Sequence, residues 1–150
     1  MPHYMIVQAR YYEDIAGLQL KGAIAALEEK RCSYEVFQVP GALEIPLAIK
    51  LGHMRPEGRG ASGRRFDGFI ALGCVLRGET THYDIVCKES ARGLSVLALE
   101  HNLPIGNGIL TCENERQALE RSDPEKLDKG GEAARAAMAM FELKNGLGIR

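Results

Sequence analysis

A chain of 150 residues with 45% hydrophobic residues and a formal net charge of -1 is sized for one domain around one core, spanning 1–150. Its Lys and Arg are interspersed with Asp and Glu, so no basic face awaits a phosphodiester backbone and nucleic acid is excluded as a partner. No apolar run approaches the roughly 20 residues that cross a bilayer, and Met1-Pro2-His3-Tyr4 leads into a strand-like segment without a signal-peptide pattern, so no membrane partner and a cytoplasmic location are expected.

Residues 4–9 read as a first strand and 10–14 as the loop after it, with Asp14 as helix cap. Ile15, Leu18, Gly22, Ala25 and Ala26 then share one face of a helix running to about Arg31. Residues 33–39 form the second strand. Pro40-Gly41 breaks it, and a helix over 42–50 follows, in which Pro46 is tolerable only in the first turn. The Gly-, Pro- and Arg-rich segment 55–65 offers nothing to a core and reads as a solvated surface loop.

The continuous apolar run 69–76 is the pattern of a strand buried on both faces. It gives way to the polar turn Arg77-Gly78-Glu79-Thr80-Thr81-His82, and a helix runs from about Thr81 to Glu100, ended by His101-Asn102. A fourth strand is expected over 104–111, a short helix from 111–114 to near Arg121, a turn over 122–131, and a last helix over 132–144. That last helix carries Ala133, Ala134, Ala136, Ala137, Met138, Met140 and Phe141 around much of its circumference, so part of it is expected to pack against another subunit. One helix per crossover implies an all-parallel sheet with helices on both faces.

The turn at 77–82 joins the carboxyl end of a strand to the amino end of a helix, the place where parallel α/β sheets hold ligands. Unpaired N–H groups, the helix dipole and the hydroxyls of Thr80 and Thr81 suit a phosphate, with Arg77 as the reinforcing cation. There is no Walker lysine and no G-x-G-x-x-G after the first strand, which points away from ATP and dinucleotides and toward a small phosphorylated metabolite. His82 is the candidate acid/base beside this cradle. His3, His53 and His101 are too scattered to complete a metal site with His82. The four cysteines form no C-x-x-C pair and read as reduced, mostly buried thiols.

Three segments together are specific: Val39-Pro40-Gly41-Ala42-Leu43-Glu44-Ile45-Pro46; the run from Ala71 to Asp84 with its R-G-x-T-x-H-x-D pattern; and Gly108 to Asn114 followed by 117–121. On these the chain resembles the lumazine synthase family over nearly its whole length. The resemblance implies a three-layer α/β/α sandwich with a four-stranded parallel sheet in the flavodoxin-like order 2-1-3-4. It also implies condensation of 5-amino-6-(D-ribitylamino)uracil with 3,4-dihydroxy-2-butanone 4-phosphate to 6,7-dimethyl-8-ribityllumazine, phosphate and water, without cofactor or metal.

Carried over by motif, His82 shuttles protons. Glu79 and Thr80 hold the phosphate together with Arg121 and Lys129, the last two from an adjacent subunit. The pyrimidine and ribityl chain lie along Tyr11, Ala42, Leu43, Glu44, Cys74, Val75 and Leu76, with Asn107 also at the pyrimidine. Leu43 stands where many members have phenylalanine, Tyr12 where several have asparagine, and Asn107 where some place an aromatic, which leaves the ring less enclosed. A flavin-binding or storage protein on the same scaffold is the alternative reading. A homopentamer is implied, and the early start of the first strand favours a free pentamer or decamer over a 60-subunit shell.

Overall fold

The run 69–76 is apolar on both sides, and the structure, a computed structural model describing residues 1–150, shows why. Strand β1 (His3–Ala9) is buried along its whole length, with Ile6 and Val7 fully inaccessible. It pairs in parallel with β2 (Ser33–Val39) on one side and β3 (Gly68–Leu76) on the other, and β4 (Ile105–Cys112) closes the order β2-β1-β3-β4. Tyr4 and Ile6 of β1, with Ile70 and Leu72 of β3, pack under α1 (Glu13–Glu29) and α5 (Lys129–Gly146). Met5, Val7 and Ala9, with Phe69 and Ala71, pack under α2 (Ile45–His53) and α3 (His82–His101). Each of the larger aliphatic and phenylalanine side chains among these contributes roughly 1.5–3 kcal/mol by leaving water. The chain is the three-layer sandwich expected, its helices placed by right-handed crossovers that run leftward through α1 and rightward through α2 and α3.

Two polar side chains inside the sandwich are tied to backbone. Gln8 donates to the Ala16 carbonyl at 2.7 Å, and Gln19 of α1 donates to the carbonyls of Gly73 and Gly108 at 2.9 and 2.8 Å, linking α1 to β3 and β4. Gly106 lies against α5 so closely that a Cβ there would sit 1.8 Å from the Ala133 carbonyl oxygen.

Several boundaries differ from the sequence expectation for local reasons. Tyr12 is the N-cap of α1, and Asp14 sits in its first turn with Glu13, where a carboxylate favours the dipole without capping. Residues 42–44 form a 3-10 turn and α2 starts at Ile45, so Pro46 does fall in the first turn. Its ring faces Gly93 of α3, where a Cβ would meet Pro46 Cγ at 2.8 Å. Asn102 ends α3 in the left-handed conformation that asparagine tolerates. Strand β4 runs on through Cys112, and Asn114 caps α4 (Glu115–Ser122) by accepting from the Gln117 N–H at 2.9 Å. Helix α5 begins at Lys129, earlier than expected, because Asp128 caps it through the Gly131 N–H.

Ala133, Ala134, Ala137 and Met138 of α5 are buried in this chain's own core, while Met140 and Leu143 of the same helix are exposed, as are Leu47 and Leu51 of α2 and Leu99 of α3. One expectation is corrected. The segment 55–65 is not simply solvated. Arg55 grips both carboxylate oxygens of Glu35, at 3.1 and 2.8 Å, and stacks 4.1 Å from the Phe66 ring centre. His3 Nε2 lies 2.6 Å from the same carboxylate, and the Ser62 hydroxyl donates to it at 2.7 Å. A charged pair so nearly closed to water pins the loop to the amino end of the sheet.

Candidate active site

A cleft of about 500 Å³ opens at the carboxyl edge of the sheet, where β1, β2 and β3 end. The position follows from topology. Connections leave β1 and β3 in opposite directions, and the gap between them is left open. The loop after β1 contributes Tyr11 and Tyr12, and the residues after β2 contribute Pro40 to Glu44. The end of β3 contributes Cys74, Val75 and Leu76, the turn contributes Gly78 and Thr80, and α3 contributes His82, Tyr83 and Val86.

The thiols and phenols at the cleft stay protonated at physiological pH. Burial, with Cys112 nearby, pushes the Cys74 thiol up to about 12, so it is protonated and no nucleophile. Burial foremost, then Cys74, raises the Tyr12 phenol, and burial foremost raises Tyr83 and Cys87. The charge-bearing groups on the lining are Glu44 and His82, both exposed to solvent within the cleft.

The amino end of α3 closes one side. Its N-cap, Thr81, makes no side-chain capping bond, while the His82 N–H donates to Thr80 Oγ1 at 3.3 Å. The end of a 20-residue helix therefore presents donor groups to the cleft, with Asp84 the one carboxylate in its first turn and 3.7 Å from an Arg77 Nη. Arg77, expected to strengthen that anion seat, points elsewhere: its Nε donates to Glu113 Oε2 at 2.6 Å.

The cleft brings together nine of the residues singled out from sequence: Tyr11, Ala42, Leu43, Glu44, Cys74, Val75, Leu76, Thr80 and His82. Four lie outside it. Glu79 is exposed in the same turn. Asn107 is exposed on β4, its Oδ1 accepting from the Ile109 N–H. Arg121 donates to the Gln117 carbonyl within α4, and Lys129 pairs with Glu132 at 3.1 Å. Tyr83 and Val86 were not foreseen as lining. Val86 was legible, since four residues after His82 on a helix means the same face. No three His, Cys, Asp or Glu side chains converge to hold a metal.

Fold and cleft together define a flavodoxin-like α/β protein with a small-molecule site at its switch point. The family model described as 6,7-dimethyl-8-ribityllumazine synthase matches residues 2–145. The chain is 55% identical over 147 residues to the 6,7-dimethyl-8-ribityllumazine synthase of Agrobacterium fabrum, covering 98% of this chain and 97% of that one. It is 55% identical over 141 residues to that of Methylocella silvestris, covering 94% and 84%. With that of Sphingopyxis alaskensis it shares 50% identity over 149 residues, 99% of both chains. The chain belongs to the 6,7-dimethyl-8-ribityllumazine synthase family, transferases of riboflavin biosynthesis acting on small molecules.

Proposed function

We propose that the chain condenses 5-amino-6-(D-ribitylamino)uracil with 3,4-dihydroxy-2-butanone 4-phosphate to 6,7-dimethyl-8-ribityllumazine, releasing phosphate and water. The observation that carries this reading is the juxtaposition of His82 with the amino end of α3 on one largely apolar cleft. The ketone phosphate seats its anion on the turn of Glu79 and Thr80, and the pyrimidine lies along Tyr11, Ala42 to Glu44 and Cys74 to Leu76. The ring amine attacks the ketone, water leaves to give the imine, phosphate is eliminated to leave an enol that tautomerises to a carbonyl, and the second amine adds to that carbonyl and closes the ring with loss of a second water. His82 accepts and returns protons through these steps, and the cleft contributes orientation.

Arg121 and Lys129 lie on α4 and α5, away from this cleft, so in this reading they complete the phosphate seat of a neighbouring subunit in a homopentamer. The exposed Leu47, Leu51 and Leu99 support burial of α2 and α3 surface in such an assembly. We place the enzyme in the cytoplasm, as one domain over 1–150; no helix is long and apolar enough to cross a membrane.

The test is a steady-state assay with both substrates, following the lumazine chromophore, in the wild type and His82→Ala. Turnover is expected without added metal or nucleotide, and a loss of about 10²- to 10⁴-fold in the variant. Saturable flavin binding without turnover would overturn the reading in favour of a flavin carrier. A folded monomer in sedimentation would remove the shared phosphate seat.

A further inference from the structure

Arg77 is the one cation of the turn, yet its side chain is committed away from the anion seat. Its Nε donates to Glu113 Oε2 at 2.6 Å, an Nη lies 3.7 Å from Asp84 Oδ1, and the guanidinium stacks 4.3 Å from the centre of the Tyr83 ring. Its backbone N–H donates to the Cys112 carbonyl at 3.0 Å. Glu113 is itself fixed, because its N–H donates to Gln117 Oε1 at 2.8 Å, and the Gln117 N–H in turn donates to the α4 cap Asn114. One side chain thus joins the ends of β3 and β4 to the first turn of α3, and the two residues it touches there, Tyr83 and Asp84, directly follow His82.

The pairs are about half exposed, with side-chain accessibilities of 43%, 47% and 55% for Arg77, Asp84 and Glu113. Exposed ion pairs add little to stability. What a planar guanidinium supplies that an ammonium does not is geometry: an Nε–H aimed at one carboxylate and a flat face on a ring at once. Such a constraint matters where an acid/base group has to be held to within fractions of an ångström of the reacting atoms.

We propose that Arg77, held by Glu113, is a positioning residue that fixes the first turn of α3 and through it the imidazole of His82, and is not a ligand of the substrate phosphate. This rests on the role given above to His82. The position of Arg77 beside a phosphate turn invites the opposite assignment, and the two differ in measurable ways.

The test compares Arg77→Lys, Glu113→Gln and the double variant with the wild-type enzyme, measuring kcat, the KM for the ketone phosphate and the pH profile of kcat. Positioning predicts a fall in kcat of roughly tenfold or more for each single variant, with KM changed less than about twofold. It also predicts a displaced pH limb, and a double variant no worse than the worse single one, because both break the same link. A phosphate ligand predicts that Arg77→Lys raises KM and that Glu113→Gln, which removes the charge holding the guanidinium, lowers it; either result overturns the proposal. Unchanged kcat and pH profile in both variants also overturns it. If His82→Ala itself turns over at the wild-type rate, the role of His82 fails first; if it collapses while the Arg77 and Glu113 variants do not, only the positioning role is lost. Should Arg77→Lys fold poorly, Glu113→Gln, which leaves Arg77 and its ring contact in place, carries the test alone.

Discussion

Replacing Glu35 by glutamine should expose how the 55–65 loop is held. Arg55 foremost, aided by His3 and Ser62 and opposed by burial, lowers the Glu35 carboxyl from 4.5 to about 2. Because the folded chain holds that proton more weakly than the unfolded chain, the stabilisation is complete above about pH 4.5 and is lost as pH falls toward 2. A gap of this size corresponds to about 3 kcal/mol. The side chain is only 14% exposed, so little is screened, but glutamine keeps part of the hydrogen bonding. Glu35→Gln is therefore expected to lose about 2 kcal/mol near neutral pH and well under 1 kcal/mol near pH 2.5. Urea unfolding of both proteins at one fixed concentration, repeated down the pH range, gives the difference free of the other carboxylates. A wild-type-minus-variant gap that stays constant with pH, or is absent near neutrality, would refute the account of this cluster.

Gly106→Ala should destabilise by roughly 3 kcal/mol or more, because the new methyl meets the Ala133 carbonyl at 1.8 Å and backbone must move; the thermal midpoint reads this directly. Asn114→Ala removes the side-chain cap of α4 and should cost about 1 kcal/mol, seen in the same measurement. Native Cys74, its thiol pushed up to about 12, should resist iodoacetamide at neutral pH and react once the chain is denatured, as peptide mass spectrometry would show. Its thiolate, and with it any native-state reactivity, appears only as pH approaches 12; rapid native labelling near pH 7 would contradict the burial of this wall.

Much of the architecture was legible because its signals are local. The run 69–76 had no polar side to show to water, and the parallel sense of the sheet followed from one helix per crossover, while its order 2-1-3-4 came from the family resemblance. Pro46 announced its own place in a first turn. The start of α4 was misplaced because Thr111 and Cys112 extend the β4 ladder through pairing with Val75 and Leu76, which no local window reports. The fate of α5 turned on Gly106 and Gly108, whose missing side chains let its alanines sit on β4. The cleft was legible where motif and strand end coincide, at 42–44 and 74–82. The commitment of Arg77 to Glu113 was not, since the partners are 36 residues apart and meet only because β3 and β4 end side by side.

The contact between Pro46 and Gly93 bears on the breadth of the cleft. One wall, Ala42 to Glu44, leads into α2, and the other, His82 with Val86, rides on α3. A Cβ at 93 would stand 2.8 and 2.9 Å from the ring carbons of Pro46, outside the cleft altogether, so a side chain there acts as a shim between the two helices that carry the walls, with every lining residue unchanged.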